Sequence, residues 1–323
     1  FKQANPENKE LANIEFESAK NLYFTQKYQA AVERLQEFIN NYPDNTNVDE
    51  ARYYIAESYN RSDQVDKALQ QFYMIAEQGT SSRLNRAVQR IAELEQIKGN
   101  HEQAIQYFDR LADMARNKRE QFNAWSGMMT SYYALGQENE QMLDSVDYYA
   151  NLILEKGNVS AAAENIAMLY QGKAAYEREN YEKAIDSFIK TLNSAKDEYG
   201  AEAQYLMAQI QYDQGKYVES IETLYDLNKN FSLYENWLGK SFLLIADNYI
   251  ALDENFQAKA TLNSVIENSP LPSIREKGQQ KLNALNEMEA EQEAEERRQD
   301  SLEVEQENEI IIEETKPDGD NRP

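Results

Sequence analysis

Residues 172–192, GKAAYERENYEKAIDSFIKTL, carry the pattern that decides the fold. Small Gly172 lies in the first half of this stretch, and small Ala184 lies four residues before bulky Phe188 in the second half. Small residues let two helices approach closely, and bulky residues one turn further along fill the groove beside them. The polar pair Glu179-Asn180 separates the two halves as a short turn. The stretch therefore predicts a hairpin of two helices.

The same pattern recurs along the chain in seven copies, spaced by 36 to 41 residues. The small residues of the second halves are Ala31, Ala68, Ala104, Ser145, Ala184, Ser220 and Ala258. The fourth copy is degenerate, because residues 140–156 hold an insertion of about four residues, and Ser145 and Tyr149 take the small and bulky positions. A self-similar period of this length is typical of helical-repeat proteins. We therefore predict an all-α solenoid of seven hairpins over residues 12–270.

The composition argues against several other classes of protein. The 323 residues include 11 Gly and 6 Pro, too few for the many tight turns of a β-rich fold. No apolar run of about 18 residues occurs, so the sequence predicts no membrane span. With 57 Asp and Glu against 33 Lys and Arg, the net charge of −24 disfavours direct binding to nucleic acid. The 22 Tyr are too many for a disordered chain.

We find no catalytic, cofactor-binding or metal-binding pattern in the sequence. The absence of Cys removes thiolate chemistry and the common structural zinc sites. The single histidine, His101, lies in a predicted turn, and the common phosphate-binding and hydrolase motifs do not occur. The acidic pairs Glu295-Glu296 and Glu313-Glu314 lie in a polar segment where nothing would desolvate them. The sequence predicts a protein that is not an enzyme and needs no cofactor or metal.

The repeated pattern resembles the tetratricopeptide repeat (TPR) family. The resemblance is strongest in residues 172–192 and in KYQAAVERLQEFINNYP, residues 27–43, and weakest in the fourth copy. It implies a right-handed superhelix of about seven helical hairpins, closed by a C-terminal capping helix. It also implies a non-catalytic scaffold that binds a partner protein or peptide on its concave face, which the first helix of each repeat lines.

A narrower resemblance concerns FINNYPDN, residues 38–45, and DEARYYIAESY, residues 49–59. These segments are similar to repeats of bacterial cell-envelope proteins, such as outer-membrane assembly lipoproteins and coordinators of the Tol–Pal system. The similarity implies a periplasmic or outer-membrane-associated location in preference to the cytoplasm. Because the chain begins at Phe1 and not at Met, we expect any export signal or lipid anchor to lie outside it.

Mapping the family's concave positions onto the sequence gives a candidate partner-binding set. Its members are Phe16, Tyr23, Tyr53, Tyr133, Lys173, Tyr176, Tyr205, Tyr212 and Asp247. Tyr combines apolar contact area with a polar tip, which suits a peptide ligand, although Tyr also fills grooves between helices. Acidic Asp247 favours a partner with apolar and basic anchors in repeats five to seven. The alternative is a structural spacer subunit of a larger assembly, with no peptide-binding groove.

The C-terminal end has a different composition. Residues 272–295 keep a helix-forming composition without the repeat, which predicts a capping helix. Residues 286–323 hold 15 acids and 4 bases. Like charges at this density resist compaction, so we predict a disordered acidic tail over residues 296–323. The alternative for the tail is a short docking segment around Ile310-Ile311-Ile312.

Overall fold

The computed structural model describes residues 9–157 and 160–314, with side chains described up to residue 302. These residues form fifteen α-helices and a short 3-10 helix (Glu140–Met142), and no strand. The helices are α1 (Lys9–Phe24), α2 (Tyr28–Asn41), α3 (Val48–Asn60), α4 (Val65–Gln78), α5 (Leu84–Ile97), α6 (His101–Asp113), α7 (Lys118–Gly136), α8 (Leu143–Lys156), α9 (Ala161–Glu177), α10 (Tyr181–Ser194), α11 (Glu198–Asp213), α12 (Tyr217–Asn230), α13 (Glu235–Ala251), α14 (Asn255–Asn268) and α15 (Pro272–Glu314).

The first fourteen helices form seven hairpins. In each hairpin the odd-numbered helix packs against the even-numbered helix that follows it. The chain divides into two compact units: unit 1 (Phe1–Ala195) holds the first five hairpins, and unit 2 (Lys196–Pro323) holds the last two and α15. The predicted all-α fold, with its seven hairpins and C-terminal helix, is confirmed. None of the described helices is both long enough and apolar enough to cross a membrane.

Six of the seven hairpins turn in the same way. The turn residue with positive φ is Gln26, Asp63, Gly99, Glu179, Gly215 or Asp253, with φ between 55° and 80°. The following N–H bonds to the carbonyl five residues back, as from Lys27 to Leu22 at 2.8 Å, which is the pattern of a Schellman cap. The turn residue always lies five positions before the small residue of the second helix, so the turn fixes which face of that helix is buried.

Close packing within the hairpins follows the small and bulky positions. Ala31, Ala68, Ala104, Ala184, Ser220 and Ala258 are fully buried. A Cβ on Gly172 would lie 2.4 Å from Cε1 of Phe188, so the ring occupies the space that a side chain would take. The predicted small-to-bulky contact is therefore present in the fifth hairpin.

The fourth hairpin corrects the predicted register. Ser145 and Tyr149 are only half-buried, and the fully buried positions of α8 are Leu143, Val146, Ala150 and Ile153. The register moves by one residue because the 3-10 helix, with Asn139 as its N-cap, replaces the turn used in the other hairpins. Leu143 then packs over Gly136, where a Cβ would lie 2.3 Å from Cδ2 of Leu143.

Helix α15 packs on α13 and α14 at its N-terminal end. Buried Ile274 covers Gly239 of α13, whose Cβ would lie 2.8 Å from Cγ2 of the isoleucine. The sequence places a boundary at residue 295, whereas the helix continues to Glu314. Residues 279–316 contain no Gly or Pro, so nothing in their composition ends a helix. Residues 315–323 of the predicted tail and the side chains of the Ile310-Ile312 segment lie outside the described residues.

Candidate partner-binding surfaces

Charged pairs join the first helices of the first three hairpins in unit 1. Glu50 of α3 forms an ion pair with Arg83 and lies 3.9 Å from the ammonium of Lys20 in α1. One turn further along α3, Oε1 of Glu57 accepts a hydrogen bond from Nε of Arg90 at 2.8 Å. These pairs stabilise the stacking of one hairpin on the next. They also occupy the carboxylates that a partner would otherwise meet.

Tyr53 belongs to the same network. Its hydroxyl donates to Oε1 of Glu57 at 2.8 Å, and the two side chains are 7 % and 2 % exposed. Burial, followed by the negative charge of Glu57, raises the pKa of Tyr53 to about 12. The structure therefore places this predicted site residue inside the protein as a partner of Glu57.

Phe16 and Tyr23 of α1 pack mainly against their own unit. Phe16 is 1 % exposed, with its ring centroid 5.4 Å from that of Phe38. Tyr23 is half-buried and contacts the rings of Phe24, Tyr28 and Tyr54 at centroid distances of 5.1 to 5.9 Å. The structure therefore places Phe16 in the core of the first hairpin and leaves Tyr23 partly accessible beside other aromatic rings.

Tyr133 and Lys173 lie together in unit 1. The hydroxyl of Tyr133 donates to Oε1 of Glu177 at 2.6 Å. The Lys173 ammonium lies 4.7 Å and 4.6 Å from the ring centroids of Tyr133 and Tyr170, within cation–π range. Burial and the hydrogen bond to Glu177 raise the pKa of Tyr133. Tyr176 lies in the same helix as Lys173 and contacts Tyr181, with centroids 6.0 Å apart.

Unit 2 presents a second group of aromatic side chains. Tyr205 of α11 is half-buried, with its ring centroid 5.4 Å from that of Trp237 in α13. The ammonium of Lys240 lies 4.0 Å from the Trp237 ring. The hydroxyl of Tyr205 has Gln209 at 3.5 Å, a long contact for a hydrogen bond. Tyr212, two turns further along α11, is also half-buried and contacts Tyr217.

Asp247 supplies the negative charge of this surface. Its two carboxylate oxygens accept hydrogen bonds from Lys281 of α15 at 2.6 and 2.9 Å. Burial raises the pKa of Asp247, and Lys281 opposes that rise. Burial, followed by the charge of Asp247, raises the pKa of Tyr205 to about 12. Asp247 therefore lies close enough to act on the tyrosine but already has a cationic partner within unit 2.

Two protein-family models match parts of the chain. One, described as a tetratricopeptide repeat, matches residues 169–229. The other, with the same description, matches residues 15–45 and 240–271. The matched segments are tetratricopeptide repeats. Neither model describes an enzyme family, and the repeat family as a whole supplies scaffolds for protein–protein interaction.

Solved structures share the TPR fold with this chain. A tetratricopeptide repeat protein from Parabacteroides merdae superposes with a TM-score of 0.62 at 15 % identity, over 83 % of this chain and 98 % of its own. The apo form of a quorum sensor from B. thuringiensis gives 0.61 at 15 % identity, over 86 % and 82 %. The C-terminal part of a TPR protein from Cytophaga hutchinsonii gives 0.54 at 16 % identity, over 81 % and 98 %. No curated protein matches the chain by sequence.

Lys281 and Trp237 are neighbours of the TPR surface that the predicted site omits. The spacing of charged residues could have predicted the role of Lys281. It follows Asp247 by 34 residues, and Arg90 similarly follows Glu57 by 33. Opposite charges 33 or 34 residues apart therefore predict ion pairs between the first helices of neighbouring repeats, or between the last of these helices and α15. Trp237 has no comparable signal, because it lies in the first turn of α13, ahead of the concave positions.

Proposed function

We propose that this TPR chain is a non-catalytic scaffold whose unit 2 binds a partner protein or peptide through the first helices of the sixth and seventh repeats. One observation carries the proposal. Carboxylates at 2.8 and 2.6 Å hold the hydroxyls of Tyr53 and Tyr133 in unit 1, whereas Tyr205 has only the long contact to Gln209. A half-buried tyrosine without a short internal hydrogen bond can give both its ring face and its hydroxyl to a ligand.

The chemistry of the surface specifies the anchors of the partner. Tyr205 and Tyr212 offer apolar contact of the kind that dominates binding energy at protein interfaces, and buried Trp237 supports the ring of Tyr205. Asp247 would attract a basic residue of the partner, and that residue would compete with Lys281 for the carboxylate. We therefore expect the aromatic residues to supply most of the affinity. The charge of Asp247 should set the orientation of the partner and the rate of association.

The proposed setting is a bacterial envelope complex, with the protein in the periplasm or at the outer membrane. The resemblance of residues 38–45 and 49–59 to envelope repeats supports this setting. Fractionation of the native host with antibody detection would test it. Recovery with cytoplasmic markers would overturn this part of the proposal without affecting the binding surface.

The test of binding uses a photo-crosslinking amino acid in place of Tyr212 to capture the native partner, whose affinity is then measured with purified proteins. The double variant Tyr205→Ser/Tyr212→Ser should weaken binding by about 2 kcal/mol, or roughly 30-fold, with an unchanged helical signal. The matched control is Tyr148→Ser/Tyr225→Ser, which removes two exposed tyrosines from second helices. If the two double variants bind alike, the protein is the structural spacer of the alternative.

A further inference from the structure

A polar cavity of about 580 Å³ lies in unit 1, whereas the surface proposed above belongs to unit 2. The loop between α4 and α5 and the loop between α6 and α7 form its rim, together with the first turns of α5 and α7. Its volume is within the range of small-ligand and peptide sites. The side chains that matter for its chemistry are Thr80, Arg86, Gln89, Leu111, Arg116 and Asn123.

The two arginines of this cavity differ from the others on the same surface. Arg83, the N-cap residue of α5, and Arg90, within that helix, are paired with Glu50 and Glu57. Within the described part of the chain, Arg86 and Arg116 have neither a hydrogen bond from their guanidinium groups nor an ion pair, and both are exposed. In a chain with a net charge of −24, two such guanidinium groups at one cavity concentrate positive charge that would attract an anionic ligand.

The remaining lining groups agree with this assignment. Glu120 also lines the cavity, but its carboxylate accepts hydrogen bonds from the backbone N–H of Arg116 at 2.8 Å and from Nδ2 of Asn117 at 2.9 Å. The exposed Lys118 and Arg119 follow in the first turn of α7, whose N-terminus adds a positive dipole end. The local potential is therefore positive despite Glu120.

We propose that this cavity binds an acidic segment of a partner protein, with side-chain carboxylates on Arg86 and Arg116. A guanidinium group binds a carboxylate through two parallel hydrogen bonds, which fixes the orientation of the ligand as well as its charge. Leu111 and Met114 supply apolar contact that the methylene groups of Glu can use and that an inorganic anion cannot. The site goes beyond the proposed function, because it lies in the other unit and takes a ligand of opposite charge.

The test measures fluorescence anisotropy of a labelled peptide of alternating Glu and Ala residues on the full chain, with a Gln-for-Glu peptide for comparison. Wild-type protein should bind the Glu peptide at least about tenfold more tightly than the Gln peptide, and Arg86→Gln/Arg116→Gln should abolish that difference. The control Arg34→Gln/Lys190→Gln removes two exposed cations elsewhere in unit 1 and should change affinity less than about twofold.

Several outcomes would overturn this assignment. If the two peptides bind equally, or if the two double variants weaken binding equally, then long-range electrostatic attraction accounts for peptide binding and the cavity is not a specific site. Displacement of the peptide by inorganic phosphate at equal concentration would make the site a phosphate site. If the wild-type protein is a dimer and Arg86→Gln/Arg116→Gln is a monomer, then the occupant of the cavity is the acidic helix of a second copy. Circular dichroism should show that both double variants stay folded, since the substituted side chains are exposed.

Discussion

The second and sixth repeats place a tyrosine at the same position and put it to different use. Tyr53 and Tyr205 each lie fifteen residues before the small residue of the second helix, and each has a hydrogen-bonding residue four positions on. In the second repeat that residue is buried Glu57, which Arg90 of the next repeat neutralises. In the sixth repeat it is Gln209, and the position equivalent to Arg90 is Leu244. Neighbours from the next repeat therefore decide whether a concave tyrosine stabilises the stack or stays available to a partner.

The largest expected effect is at Glu57. Glu57→Ala removes the acceptor of buried Tyr53 and one partner of half-buried Arg90, and should lower the free energy of unfolding by about 2–4 kcal/mol. Gln209→Ala, at the equivalent position of the sixth repeat, should cost less than about 1 kcal/mol. Urea unfolding followed by circular dichroism measures both. Similar costs would mean that the two repeats do not differ as described.

A narrower substitution isolates the two hydroxyl groups. Tyr53→Phe deprives a buried carboxylate of a donor and should cost about 1–2 kcal/mol. Tyr205→Phe loses only the 3.5 Å contact and should cost less than about 0.5 kcal/mol. The same urea titration is the measurement. A larger loss for Tyr205→Phe than for Tyr53→Phe would contradict the assignment of Tyr205 to recognition.

The pH dependence offers a third test. The pKa values of Tyr53 and Tyr205 rise from the ordinary 10.0 to about 12 in the folded chain, so the folded state holds protons that the unfolded state releases. Each tyrosine therefore adds stability that is complete below pH 10 and is lost as the pH rises towards 12. Chemical unfolding across this range should show a smaller loss of stability in either Phe variant than in wild type. If the free energy of unfolding falls with pH as steeply in both Phe variants as in wild type, the two hydroxyls do not have this role.

The smallest effect is expected at the end of the chain. Residues 291–302 of α15 are exposed, so truncation after Glu295 should shift the melting temperature by less than about 1 °C. Truncation after Asn283 also removes Leu285, which is buried, and should lower the melting temperature by several degrees, on the order of 4 °C. A large shift from the shorter deletion would show that the terminal segment stabilises the repeats.

The sequence predicts the repeat register because the information is local. A small residue, a bulky residue four positions on and a turn residue five positions before them set each hairpin without reference to distant residues. The predicted register of the fourth copy is wrong by one residue, because a 3-10 helix replaces the turn of the other hairpins. No periodic position of the sequence encodes that change. The bond that holds Glu57, the acceptor of Tyr53, comes from Arg90 of the next repeat, so it depends on stacking geometry.

The candidate site is predicted less completely than the fold. Repeat periodicity selects the concave positions, but it assigns the same position to buried Phe16, buried Tyr53 and half-buried Tyr205. Arg116 lies between two repeats, where the period fixes no position, and its place beside Arg86 emerges only in the structure. Loops between repeats can therefore carry binding sites that a consensus pattern does not show.

Helix α15 also has a consequence for self-assembly. Stacked hairpins expose at their last member the same kind of apolar face that each earlier member buries, and such a face can accept a further hairpin from another molecule. Here Ile274 and Leu285 cover that face. The acidic residues that continue the helix repel any molecule approaching along the same direction. Because this face is covered, we expect α15 to disfavour end-to-end association of one copy with another at this end of the repeats.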